Sequence, residues 1–321
     1  MNSEPYRFAT RLNSFRVHGG VRISAVDAIR AVAAVPGISA LELNYPQHFG
    51  DEPEAILGAA EAAGLPITAL NLRWDGPDFA DGAFTHPKPE NREHAIATAT
   101  AAVDFAAAHG IPHVILWMGP DGFDYPFQAD YRALWEMEIE GFRRVAGSNP
   151  DVRVSVEYKP SDPRRVSLIR SMGDSLLAVN EVGLANFGVT LDLCHVLMAG
   201  EQPAVVAAQA LRVGRLFGVH INDGYGPADD GMMAASVRPW HLLELLLEMR
   251  RGGFAGTIYF DTFPERIDPV AECAANVRMV QRLERVLDRL PAGDLERIQQ
   301  AQDATAATAL IHDLVLGAFD E

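Results

Sequence analysis

The sequence predicts an α/β protein, a closed (β/α)8 TIM barrel over residues 1–290 with a C-terminal helical extension over 291–321. Three observations predict it. Short apolar, β-branched runs alternate with helix-forming stretches eight times. The units recur at roughly 30 residues with no linker-like composition between them, which favours a parallel sheet that closes on itself. An open doubly wound sheet, the runner-up, wants a Gly-rich phosphate turn after an early strand, and none is present.

Phe8 to Asn13 is β-capable and is followed by a turn at Gly19-Gly20. Ser24 caps a helix to about Val35, which Pro36-Gly37 stops. Ile38 to Leu43 reads as a strand broken by Asn44-Tyr45-Pro46. Asp51-Glu52-Pro53-Glu54 places acids at the positive end of a helix closed by Gly64. Ile67 to Leu72 is the third strand, and a long loop from Arg73 to Pro89 follows it. Glu90 to His109 is Ala-rich and helical, closed by Gly110. His113 to Trp117 is the fourth strand and Tyr131 to Ala146 the helix after it.

The fifth strand, Val152 to Glu157, alternates and then delivers Glu157, Tyr158, Lys159 and Pro160. Asp162-Pro163 reads as the opening of the next helix. Strands through Asp192, from Leu216 to Ile221 and from Thr257 to Asp261 complete the eight, with helices at 203–213, 238–251 and 270–290. Beyond Ala292, Ile298, Ala301, Leu310, Ile311, Leu314 and Leu316 form an apolar stripe that fits the barrel's outside or another subunit.

Four of these strands share one feature. Each ends on a side chain able to hold a metal: Glu157, Asp192, His220 and Asp261. In a barrel the strand exits make the catalytic face, so strands five to eight bring these residues together. A carboxylate at the end of a buried strand is costly to desolvate unless a cation neutralises it. Three acids and one imidazole form an oxygen-rich donor set suited to Mn2+, Mg2+ or Co2+ rather than a thiolate zinc site. The bland alternatives are salt-bridged loop acids and a hydrogen-bonded core histidine at 220.

Composition limits the partners. A formal net charge of −16 argues against nucleic acid and anionic membranes. No run approaches a membrane span, and Met-Asn-Ser-Glu-Pro at the start lacks a basic segment before an apolar one. Two cysteines, Cys194 and Cys273, cannot build a disulfide framework. The expectation is a cytoplasmic enzyme.

Glu157-Tyr158-Lys159-Pro160, Leu191-Asp192-Leu193-Cys194-His195, His220-Ile221-Asn222-Asp223, Asp229-Asp230-Gly231 and Phe260-Asp261, in this order, resemble the xylose-isomerase-like TIM-barrel superfamily, most of all its L-rhamnose isomerase branch. The resemblance covers residues 6 to about 290. It implies Mn2+ or a similar ion on Glu157, Asp192, His220 and Asp261, with Lys159 and His195 as polar partners of a sugar. Related isomerases often carry three successive acids after the His ligand. Here the third is Gly231, which puts a second ion in doubt. The superfamily also contains catalytic subunits of C-glycoside deglycosidases, carbon–carbon lyases that act on 3-oxo C-glycosides with a small partner subunit. Its endonuclease IV-like branch wants more histidines and a basic groove, and does not fit.

The expected activity is therefore isomerisation or epimerisation of an unphosphorylated monosaccharide or keto-sugar, by proton or hydride transfer at a carbon next to a carbonyl, with the lyase as alternative. Glu157, Lys159, His195 and Asp261 are the candidate catalytic residues, and Asp261 the first candidate for the base. Asn13, Glu42, Asn44, Asn71, Trp74, His86 and Trp117, with Asp223 and Asp229, supply the amides, acids and aromatic faces of a carbohydrate pocket. Trp74 and Trp117 fit the core equally well. A homo-oligomer or a small partner subunit is compatible with this reading.

Overall fold

A computed structural model describes residues 6–18 and 21–317. Eight strands form one all-parallel sheet: β1 (Arg7–Thr10), β2 (Leu41–Tyr45), β3 (Ile67–Arg73), β4 (His113–Trp117), β5 (Arg153–Glu157), β6 (Phe187–Asp192), β7 (Leu216–Ile221) and β8 (Thr257–Phe260). Each pairs with its sequence neighbour from β2 to β8, and β8 returns to β1. The remaining seam, β1 to β2, is bridged rather than laddered. Ser39 and Ala40 N–H groups both donate to the Phe8 carbonyl, at 2.9 and 3.1 Å, and the Ser39 hydroxyl accepts from Phe8 N. Ala9, Ala40 and Tyr259 pack together there, so the sheet is a nearly closed barrel.

Helices over 25–33, 53–62, 89–108, 131–148, 172–182, 203–212, 239–251 and 269–288 connect or follow the strands. Because helices cover the outside and side chains fill the inside, β6 is buried along its whole length. Inside the barrel, His113 Nε2 meets Ser155 Oγ at 2.7 Å, which meets Thr190 Oγ1 at 2.7 Å. Gly218 makes room for this chain, since a Cβ there would lie 2.6 Å from Thr190 Oγ1.

Three expectations are corrected. The chain turns helical at Leu12–Arg16 instead of staying extended to Asn13. The second strand runs Leu41–Tyr45, later than Ile38–Leu43, because it pairs with β3 through Asn44 and Tyr45 before Pro46. Asp162-Pro163 does not open a helix. Asp162 has φ +69, outside the helical region, and the helix begins at Met172. There Ser171 Oγ accepts from Asp174 N while donating to the Asp174 carboxylate, a reciprocal cap. The expected Gly19-Gly20 turn lies outside the described residues.

The chain divides into two compact units, residues 1–277 and 278–321. The second contains the end of the helix Pro269–Asp288 and the helices Asp294–Ala301 and Ala304–Leu316. In it the Arg289 guanidinium donates to the Leu314 carbonyl. Among the described residues no helix is long and apolar enough to cross a membrane.

Candidate active site at the carboxyl mouth of the barrel

Glu157, Asp192, His220 and Asp261 each offer one ligand atom, and these atoms all lie within 4.8 Å of one another. All four residues are buried. Parallel pairing explains the convergence. Asp192 on β6 is the register partner of His220 on β7, and Glu157 on β5 pairs with Thr190, whose side chain shares a face with Asp192. His220 in turn pairs with Tyr259, two residues before Asp261.

Neighbouring side chains fix the orientations. Asp192 is the N-cap of the short helix Leu193–Met198, accepting from His195 N at 3.0 Å. The Asn222 amide donates to both Asp192 oxygens, at 3.2 and 3.1 Å, and its Oδ1 accepts from Cys194 N. His220 Nε2 lies 3.3 Å from Glu42 Oε2. His220 Nδ1 stands 3.3 Å from Glu157 Oε2 as an ion pair and makes no aligned hydrogen bond. Asp261 Oδ1 likewise makes no hydrogen bond, its neighbour being Arg11 Nε in an ion pair at 3.4 Å. Two buried polar atoms aimed into a group of acids are what a bound cation would satisfy, so these residues fit a divalent ion.

The charges are strongly coupled. Burial opposes ionisation of Glu157, yet His220, His195 and Arg73 hold it down at about 2. Burial pushes Asp192 up to about 7, against the pull of His195 and with the push of Asp229, Glu157 and Asp261. Burial also raises Asp261, although Arg11 and Arg73 oppose it. His195 is disfavoured as a cation by burial but raised to about 9 by Asp192, Asp229 and Glu157.

Above this group opens a cavity of about 540 Å³, inside the usual range for small-molecule pockets. Of the residues expected there, Trp74, Trp117, Glu157, Lys159, His195, Asp229 and Asp261 line it. Asn71 and His220 line a smaller void that shares Arg73, Trp117, Glu157 and Asp261 with the cavity. Trp74 is 4% exposed, and serves core and cavity at once. Its ring stacks edge-on to Phe84, which continues through Phe142 to Phe187. His195 does not stand in an open loop but on the helix Asp192 caps, with Nδ1 3.4 Å from Glu157 and Nε2 3.3 Å from Asp229. Asp192, His195 and Asp229 form a second three-donor group. Lys159 Nζ already sits 3.1 Å from Asp229 and 3.2 Å from Asp162.

Four of the expected sugar contacts make hydrogen bonds within the protein. Glu42 holds His220. Asn13 Oδ1 meets His48 Nε2 at 2.9 Å, and His48 Nδ1 accepts from the Asn44 backbone N–H. The His86 ring engages Lys88 N and the Asn91 side chain. Asp223, fully buried, accepts from the backbone N–H groups of Gly224, Val237 and Arg238 at 2.8 to 2.9 Å. A carboxylate tying down a loop and a helix entry with three accepted bonds has most of its about four lone-pair sites taken.

Sequence reasoning missed Arg11, Arg73, Asn222, Asp162 and Phe263. Arg11 and Arg73 stand at the exits of β1 and β3, and as cations they carry no metal-ligand signal. Asp162 reaches the site only because its loop folds back from Pro160, and Phe263 only because its chain turns under Gly231, whose carbonyl accepts from Phe263 N at 2.8 Å.

Fold and site together define a (β/α)8 enzyme-type barrel with an acid and imidazole cluster at its mouth. The chain belongs to the xylose isomerase-like TIM barrel family, which it matches over residues 29–283. A xylose isomerase of Thermus thermophilus is 30% identical over 164 residues, 50% of this chain and 42% of that protein, so the match spans less than half of that relative's length. A D-allulose 3-epimerase from Methylomonas sp. superposes with a TM-score of 0.68 at 16% identity, covering 87% of this chain and 98% of the other. A 3-keto-D-glucoside 4-epimerase from E. coli gives 0.66 at 15% identity, covering 87% and 99%. At such identities the two structures show a shared fold.

Proposed function

We propose that the chain is a divalent-metal-dependent isomerase or epimerase acting on an unphosphorylated monosaccharide or keto-sugar, at a carbon next to the carbonyl. The carrying observation is the convergence of Glu157, Asp192, His220 and Asp261, with His220 Nδ1 and Asp261 Oδ1 making no hydrogen bond, beneath the cavity. The family and the epimerases among its structural neighbours support the reading. The lyase alternative draws no support from them.

Mn2+, or Mg2+ or Co2+, would be held by those four residues and would polarise the sugar's oxygens. Glu157 and Asp261 also border the cavity, so each can take or return a proton at a substrate carbon or oxygen. Lys159, fixed by Asp229 and Asp162, brings positive charge to a substrate oxygen. His195, between Glu157 and Asp229, can pass a proton from one to the other. Trp74 and Trp117 give apolar faces for the sugar ring and exclude water.

The test is solvent deuterium incorporation, followed by NMR, over a panel of free aldoses and ketoses. Metal-stripped protein should be inert and Mn2+ should restore exchange. Glu157→Gln should lose both Mn2+ retention and exchange. Full exchange in stripped protein, or a Glu157→Gln variant that holds Mn2+ like the parent, overturns the proposal. Turnover of free sugars by the isolated chain also separates it from a lyase that needs a partner subunit.

A further inference from the structure

Arg73, Lys159 and His195 are cationic side chains bordering the cavity. Lys159 is engaged by Asp229 and Asp162, and His195 by Asp229 and Glu157. Arg73 differs. Among the described residues its side chain makes no ion pair and no hydrogen bond, and its buried Nε has no partner. The carboxylates whose fields it feels most, Asp261 and Glu157, stand outside ion-pair distance.

Its position is nonetheless fixed. The side chain leaves the end of β3 and its guanidinium sits 5.5 Å from the centroid of the Trp117 ring. That ring is itself wedged over Gly119, where a Cβ would lie 2.1 Å from it. A guanidinium held over an aromatic face, with no protein acceptor among the described residues, is preorganised for a planar two-oxygen acceptor. A buried charged donor left without a partner is destabilising, more so than a neutral one. A merely neutralising arginine would gain more by closing on Asp261 or Glu157.

Resting on the sugar reading above, we propose that Arg73 receives a carboxylate of the substrate, so that the site takes a sugar acid. A carboxylate fits better than a phosphate. Asp75, Glu157, Asp162, Asp229 and Asp261 already make the cavity wall acidic, and Arg73 is its one cation without a protein partner among the described residues. One such charge balances a monoanion, whereas a phosphate monoester carries about −1.5 to −2 at neutral pH.

The experiment measures binding by calorimetry on the Mn2+-loaded full chain and again on metal-stripped protein, with D-gluconate, D-glucitol and D-glucose 6-phosphate as probes. Gluconate should bind roughly tenfold or more tightly than glucitol, and more tightly than the phosphate. Arg73→Met should erase the gluconate advantage, and Arg73→Lys should keep part of it, each variant's fold being checked by circular dichroism. Equal affinities, no gluconate binding, tighter phosphate binding, or an advantage that survives Arg73→Met overturns the proposal. Since the contrast reads binding alone, a failed deuterium exchange test leaves it standing, and its own failure leaves that test untouched.

Discussion

Glu42 Oε2 lies 3.3 Å from His220 Nε2 across 178 residues of sequence, and both side chains are almost wholly buried, at 3% and 2% exposure. A proton held on Nε2 by Glu42 leaves the Nδ1 lone pair facing Glu157, which is how a carboxylate fixes the tautomer of a ligating histidine. Glu42 is then an orienting residue. Glu42→Gln should weaken Mn2+ binding about 10- to 100-fold, read by competition with a metallochromic chelator. Unchanged affinity would show that His220 needs no such partner.

Gly231 follows Asp229 and Asp230 in the loop after β7. It has φ +55, and a Cβ there would lie 2.2 Å from the Phe263 ring. Phe263 lines the cavity and carries the Arg11 guanidinium 4.8 Å from its ring centroid. Gly231→Asp should therefore cost about 1–3 kcal/mol of stability in urea titrations, from the left-handed backbone alone, and displace Phe263. A variant as stable as the parent would refute the steric account.

His113 is buried within the barrel, where desolvation, helped by Arg153 and His220, lowers its pKa to about 3. The unfolded chain takes up this proton near pH 6.5 and the folded chain near 3. Stability is thus lost as pH falls through that window, by up to about 1.4 kcal/mol per pH unit from this residue. Between pH 6 and 4, the parent's unfolding free energy should fall more steeply than that of His113→Gln by about that slope. Equal slopes would place the proton uptake elsewhere.

Much of the site was legible because a barrel turns sequence order into spatial order. Glu157, Asp192, His220 and Asp261 each end a strand, and consecutive parallel strands can only bring such ends side by side. The cap at Ser171 was not legible over Asp162-Pro163, since both are good openers and only the local backbone decides between them. Asp223 and Asp229 also look alike in an acidic Gly-rich loop. The fold of that loop turns one toward the Gly224, Val237 and Arg238 amides and the other toward Lys159 and His195.

By itself the sequence determined the alternation of strand and helix, the eightfold count and the identity of the four converging donors, because these follow from local periodicity and from which residue closes each strand. Tertiary structure alone decided that Glu42 stands against His220, and that among the described residues the Arg73 side chain makes no ion pair or hydrogen bond while Lys159 pairs with Asp229. Those are pairings between residues far apart in the chain. A polar side chain's role depends on which partner reaches it first in a desolvated space, and no local pattern encodes that.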